Sequence, residues 1–324
     1  DLVWRDTFVE EANLHVQVSA LRKVLGPSAI ATIPGSGYRF TAAVAGDEAL
    51  PKQAATFAAS VAPADFQPGS VLPQQPLLIG RDDELRALAT LLAAERLVTL
   101  AGPGGVGKTR LALAAAAQQA ALRDAWPDGV WWVDVAAVHD PLQMVPAVAQ
   151  VLHMPMHAGR GSAGLAEALH GRRLLLVMDN CEHLIDAAAA LANALRSAPQ
   201  VHLLVTSQEL LNVPGERLLR LQPLSLPGPG ESADERFGAV QLFVERARAV
   251  DRGFALDPGS AMAVADICRQ LDGLPLAIEL AAARVRQLGV QALRQRLGDS
   301  LRLLSGGSRT AMPRQRTLRA ALEW

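Results

Sequence analysis

Between Leu77 and Leu221, short apolar runs alternate with longer stretches in which apolar residues return every three or four positions. The runs Leu97–Ala101, Val130–Val135, Leu174–Met178, Val201–Val205 and Arg217–Leu221 predict strands. Stretches near 83–95, 108–122, 141–152 and 183–197 predict the helices between them. Strands that are almost wholly apolar and separated by helices point to a parallel sheet covered on both faces, an α/β architecture. The Pro/Gly-rich segment "PLSLPGPGES" (223–232) breaks the pattern. Beyond it, Phe237–Val250, Gly259–Leu271, Leu274–Leu288 and Val290–Leu297 keep the helical period without a strand pattern, which predicts a small helical domain.

Upstream, the pattern changes twice. Residues 1–41 carry an amphipathic helix pattern followed by "IATIPGSGYRF", whose alternation around a Gly-rich turn predicts a short hairpin. Residues 42–76 are rich in Ala, Pro, Gln and Ser without periodicity and read as a linker. The expected organisation is therefore 1–41, linker 42–76, an α/β domain over 77–225, a helical domain over 233–300, and the start of a following domain at 301–324. The chain opens on Asp1 and stops in the helix-like "TLRAALEW", so both ends read as cuts.

Composition narrows the class. At 324 residues, two or three domains are the natural expectation. Half the residues are hydrophobic and 19% charged, which excludes a disordered chain. A formal charge of −1 excludes an overall basic footprint, so any nucleic-acid contact must come from a local patch. No apolar run reaches membrane-spanning length and no secretory pattern opens the chain, so the expectation is a cytoplasmic protein without a membrane partner. Cys181 and Cys268 have no metal-like spacing and read as small buried hydrophobes.

The strongest chemical signal is "GPGGVGKT", Gly102 to Thr109, between a predicted strand and a predicted helix. Gly102, Gly104, Gly105 and Gly107 let the backbone around Val106 curl until successive N–H groups point inward at phosphate oxygens. The helix that follows, entered through Arg110, adds its positive end. Lys108 can reach the β- and γ-phosphates, and the Thr109 hydroxyl can hold Mg²⁺. Of the 31 basic residues only Lys23, Lys52 and Lys108 are lysine, which makes a lysine inside the glycine loop more informative. The apolar run Leu174–Met178 ends in Asp179, where a phosphate-binding site needs an acid to orient Mg²⁺. Three residues on, Glu182 can polarise a water, or serve as a first-turn carboxylate favoured by the helix dipole; both readings stand. Asn180, beside Asp179, cannot act as a general base.

Together with that loop and Asp179, "LLIGRDDELRAL" (77–88), "HLLVTSQE" (202–209) and "CRQLDGLPLAIELAAARV" (268–285) resemble the signal-transduction ATPases with numerous domains (STAND), of the NB-ARC-like branch. The resemblance implies a P-loop NTPase sheet whose nucleotide, ATP or ADP with Mg²⁺, is closed over by "GLPLA" of the helical domain. It places Gly273, Leu274 and Pro275 at the adenine, and Arg81 near the nucleotide. Where the family's strand ending "VTS" is followed by a γ-phosphate-sensing arginine, this chain has Gln208, which cannot offset phosphate charge. Slow or absent hydrolysis follows as an expectation.

The stretch 8–40 resembles the last third of an OmpR/PhoB-type winged helix. Leu14, Val18, Leu21 and Leu25 form one stripe of its helix, and His15, Ser19, Arg22 and Lys23 another. The resemblance implies that this second face meets DNA, with Arg39 on the wing. Because the family's leading elements are missing, the expectation for this chain is weak DNA binding or none. The resulting expectation is a transcriptional regulator switched by ATP or ADP, at most a slow ATPase. Self-association in the ATP state and an unknown sensor ligand or protein are its further partners. The alternatives are a P-loop ATPase whose turnover is the function, and a truncated product retaining only nucleotide binding.

Overall fold

The computed structural model describes residues 30–33, 37–40, 72–74, 77–154 and 161–297. The chain divides into two units, residues 1–60 and 61–324. In the first, β1 (Ile30–Ile33) and β2 (Gly37–Phe40) pair antiparallel with Ile30 opposite Phe40, so the expected hairpin is present. The helix expected before it, with His15, Ser19, Arg22 and Lys23, lies outside the described residues. Of Arg39 only the backbone position is described, on β2 opposite Ala31.

The second unit is built on five parallel strands: β3 (Leu97–Ala101), β4 (Val130–Asp134), β5 (Leu174–Asp179), β6 (Val201–Ser207) and β7 (Glu216–Arg220). Their order across the sheet is β4-β5-β6-β3-β7. Every residue of β3 and β5 is buried, as continuous apolar runs require when helices cover both faces. Alternate strand residues feed two cores. Val98, Leu100, Trp132, Leu175, Val177 and Leu204 face one side, packed by α1 (Asp82–Ala94) and α2 (Lys108–Ala120). Trp131, Val133, Leu176, Met178, Leu203 and Val205 face the other. There they meet α3 (Met144–Val151), α4 (Gly161–Ala168) and α5 (Ile185–Ala194).

The expected strands and most helices are present to within about two residues. The sequence reading missed α4. Gly161 and Gly164 disguise it as a turn, although Leu165 and Leu169 repeat at helical spacing and are buried. The helical region contains α6 (Gly238–Val250), α7 (Pro258–Gln270), α8 (Pro275–Ala282) and α9 (Val285–Leu288), with 290–297 also helical. The single helix expected over Leu274–Leu288 is thus two, interrupted at Ala283 and Arg284. Phe243, Ile267, Leu274 and Ile278 join the same core as α1, α2 and Leu100, so this region shares its interior with one face of the sheet. Both cysteines are buried, and burial pushes the Cys268 thiol up to about 12 and the Cys181 thiol further still. No helix among the described residues is long and apolar enough to cross a membrane.

The turn into α8 is held where two backbones nearly touch. Gly273 has φ +66°, and a Cβ there would lie 2.5 Å from the Leu224 carbonyl oxygen. The Leu224 N–H donates to the Gly273 carbonyl at 2.9 Å. Gly273→Ala is therefore expected to cost about 2–4 kcal/mol, from left-handed strain plus overpacking against backbone. Urea unfolding of the two proteins checks this; equal midpoints would show that the contact yields freely.

Candidate functional site

β3 ends at Ala101, buried and bonded to its neighbours, and the chain must then turn sharply to enter α2. Gly107 makes that turn possible with φ 99° as the residue preceding α2. The glycine loop is thereby fixed at one end by the sheet and at the other by a helix start. Lys108, 7% exposed as a residue, donates through its ammonium to the carbonyls of Gly102 (2.9 Å) and Pro103 (3.3 Å) within its own loop. Burial lowers the Lys108 pKa, opposed by the nearby charges of Glu182 and Asp179.

Parallel pairing carries Asp179 to the same end of the sheet, opposite Asp134 in register. Its Oδ1 accepts from Thr109 Oγ1 at 3.0 Å and from Thr206 Oγ1 at 2.5 Å, tying β5 to α2 and β6. Its Oδ2 accepts from Asn180 Nδ2 at 3.1 Å, and the same amide donates to Asp134 at 3.1 Å. Asn180 reaches both because it is left-handed, with φ 64°. Asp179 is only 1% exposed, and burial raises its pKa despite the two hydroxyl bonds. A site with a hydroxyl and a carboxylate side by side offers the hard oxygen donors that Mg²⁺ prefers. Among the described residues no group of three His, Cys, Asp or Glu could cage a metal.

A cavity of about 240 Å³ gathers the loop glycines 104, 105 and 107 with Lys108, Thr109, Arg110, Asn180 and Glu182, closed by Pro275, Leu276 and Glu279. It unites residues far apart in the chain that the sequence singled out separately. Glu182 accepts from Gln208 Nε2 at 3.1 Å through Oε1, while its buried Oε2 has no hydrogen-bond partner among the described residues. The Gln208 amide is thus committed to Glu182. Next to this cavity Arg81, Val106, Gly107, Arg110 and Pro275 line a narrower recess of about 20 Å³, room for about one water. Arg81 is 4% exposed and donates to Glu84 (2.6 Å) and to the Val106 carbonyl (3.2 Å), so it braces the loop from below.

Two contacts that sequence reasoning missed bind the loop to the helical region. The Leu276 N–H donates to the Gly105 carbonyl at 3.2 Å. Arg110 makes a two-pronged pair with Glu279, at 2.5 and 3.0 Å, and Arg246 Nε donates to the same carboxylate at 2.9 Å.

A central strand, a glycine loop with its lysine and threonine at the start of the next helix, and an acid at the end of a second strand define the P-loop NTPase fold. Residues 81–209 match the NB-ARC domain family. A Mycobacterium tuberculosis protein named "Putative HTH-type transcriptional regulator Rv0890c" is 44% identical over 239 residues, 73% of this chain and 26% of its own length. A second, named "Uncharacterized protein Rv0894", is 40% identical over 248 residues, 76% of this chain and 60% of its own. The chain thus spans about a quarter of the first relative's length. Among solved structures, a STAND protein with a tetratricopeptide repeat sensor from Pyrococcus horikoshii aligns over 77% of this chain and 40% of its own, at 14% identity and TM-score 0.45. The Walker-type ATPase PABY2304 of Pyrococcus abyssi aligns over 71% of this chain and 74% of its own, at 14% identity and TM-score 0.43.

The buried Asp179 has a consequence for stability. Its folded pKa lies above the ordinary value of 3.8, so the folded chain holds the proton more tightly than the unfolded chain. The group's contribution is favourable at low pH and is lost as pH rises through the raised folded value. In metal-free buffer Asp179→Asn should lose less stability than its parent between about pH 3 and about pH 7.5. Urea midpoints at the two pH values test this; a variant that loses more than the parent would contradict it.

Proposed function

We propose that residues 77–297 form a nucleotide-operated switch: ATP or ADP binds in the loop Gly102–Thr109, and α8 closes over it. The observation that carries this is the single cavity shared by Lys108, Thr109, Glu182 and the residues Pro275 and Leu276 of α8. In this reading Gly102, Gly104, Gly105, Val106 and Gly107 present backbone N–H groups to the phosphates, and Lys108 supplies the point charge. Thr109 and Asp179 hold Mg²⁺, which neutralises phosphate charge when bound. Arg81 and Pro275 border the remainder of the nucleotide and Arg110 lies between it and the phosphates, with Gly273 and Leu274 setting the turn that presents Pro275. A recess with room for about one water cannot take a purine, so Pro275 must part from Arg81 for a base to enter. That movement is the opening of the switch.

Slow hydrolysis fits the same site. The unpartnered Glu182 oxygen favours a water held beside the phosphates, and so a weak ATPase activity. With Gln208 in place of a phosphate-sensing cation and Asn180 spent on two carboxylates, fast turnover has no support. The rival reading, an enzyme whose purpose is turnover, rests on Glu182 alone.

The relative named as an HTH-type transcriptional regulator, with the hairpin of β1 and β2, supports a regulator that meets DNA through a winged helix. His15, Ser19, Arg22, Lys23 and Arg39 are the residues assigned to that contact. A sensor ligand or protein, self-association in the ATP state, and a cytoplasmic setting complete the proposal.

The experiment is direct. The purified chain is denatured and the released nucleotide identified, with Lys108→Ala alongside. Retained ADP that the variant loses, with turnover well below about one per second, is the expected result. Absence of nucleotide from both proteins, with no uptake on incubation, would overturn the reading, and sustained turnover of many per second would favour the enzyme.

A further inference from the structure

Glu279 is the one carboxylate of the phosphate cavity to which nucleotide binding gives no task. It projects from α8 into the space shared with Lys108 and Thr109, and it holds Arg110, which follows Thr109 on α2. Arg246 of α6 completes the cluster, so one carboxylate is shared between two guanidinium groups. The Glu279 side chain is 19% exposed and the two arginines 33% each. The two-pronged geometry is the strong form of this pairing, and partial burial protects it from salt.

A triphosphate brings one negative charge more than a diphosphate into the same cavity. With Glu279 in place, Arg110 in the same cavity is occupied, and a carboxylate lines the space the phosphates would enter. We propose that Glu279 is a specificity-determining residue: it makes the site favour a nucleoside diphosphate and yields to a triphosphate only when Arg110 is released. This rests on the nucleotide reading above. Because Glu279 belongs to α8 and Arg110 to α2, exchanging the carboxylate for a γ-phosphate also severs a bond between the helical region and the loop. The choice of nucleotide and the opening of the lid are then one event.

The test compares fluorescent ADP with a fluorescent, slowly hydrolysed ATPγS on the 324-residue chain. Glu279→Gln keeps the shape and removes the charge. The ratio of the ADP to the ATPγS dissociation constant should rise about tenfold in favour of the triphosphate. Arg246→Gln, which alters no residue lining the cavity, should move the ratio the opposite way by leaving Glu279 to Arg110 alone. It carries the test by itself should Glu279→Gln fail to fold. Ratios unchanged from the parent, with nucleotide still bound, would overturn the role of Glu279 and leave the nucleotide reading intact. A parent chain that binds neither nucleotide would overturn both.

Discussion

The arrangement depends on a carboxylate that is costly to bury. Asp179 sits at the end of a strand buried on both faces, and two hydroxyls from different elements converge on one of its oxygens. Those bonds fix the start of α2 against the edge of β5, and so the position of the glycine loop that precedes α2. Each such bond to a charged group is worth about 1.5–3 kcal/mol, but burial still leaves the acid with a raised pKa. Asp134 and Glu182 add like charge on the same side. The end of the sheet is thus an acidic floor under the loop that carries Lys108, and in the proposed reading Lys108 and a hard cation meet phosphate between them.

The second constraint is that the helical region has no interior of its own. Its apolar residues are continuous with those of α1, α2 and one sheet face, and Gly273 closes against Leu224 with no room for a side chain. Movement of the whole region would expose that core, and movement about the turn before α8 would draw Ala277, Ile278 and Ala281 out of it as well. The bonds from Leu276 to Gly105 and from Arg110 to Glu279 lie where such a movement is felt. In the proposed switch, a change of charge in the phosphate cavity would reach the helices through these few hydrogen bonds.

Much of this was legible in the chain itself. Largely apolar runs marked β3 to β6, the mixed run "RLLRL" marked β7, and "GPGGVGKT" between a strand and a helix marked the loop, because these patterns act locally. Helix α4 was hidden by glycines whose unfavourable propensity is overcome by burial of Leu165 and Leu169. The role of Asn180 was only half legible: sequence shows that an amide is no base, but not that a left-handed turn lets it reach two carboxylates. The Arg110–Glu279 pair spans 169 positions and has no local signature. Gln208 stood out by its departure from a pattern, whereas its bond to Glu182 required three-dimensional placement.

The central claim is that this floor and loop hold a nucleoside phosphate together with Mg²⁺. A ligand that binds only the folded chain raises its stability by an amount set by concentration over dissociation constant, about 2.7 kcal/mol at a hundredfold excess. Thermal unfolding of nucleotide-stripped chain, titrated with ADP in the presence and absence of Mg²⁺, measures this directly. The account predicts a midpoint that climbs with ADP and climbs further with Mg²⁺. A midpoint that stays fixed up to millimolar Mg²⁺–ADP would contradict it.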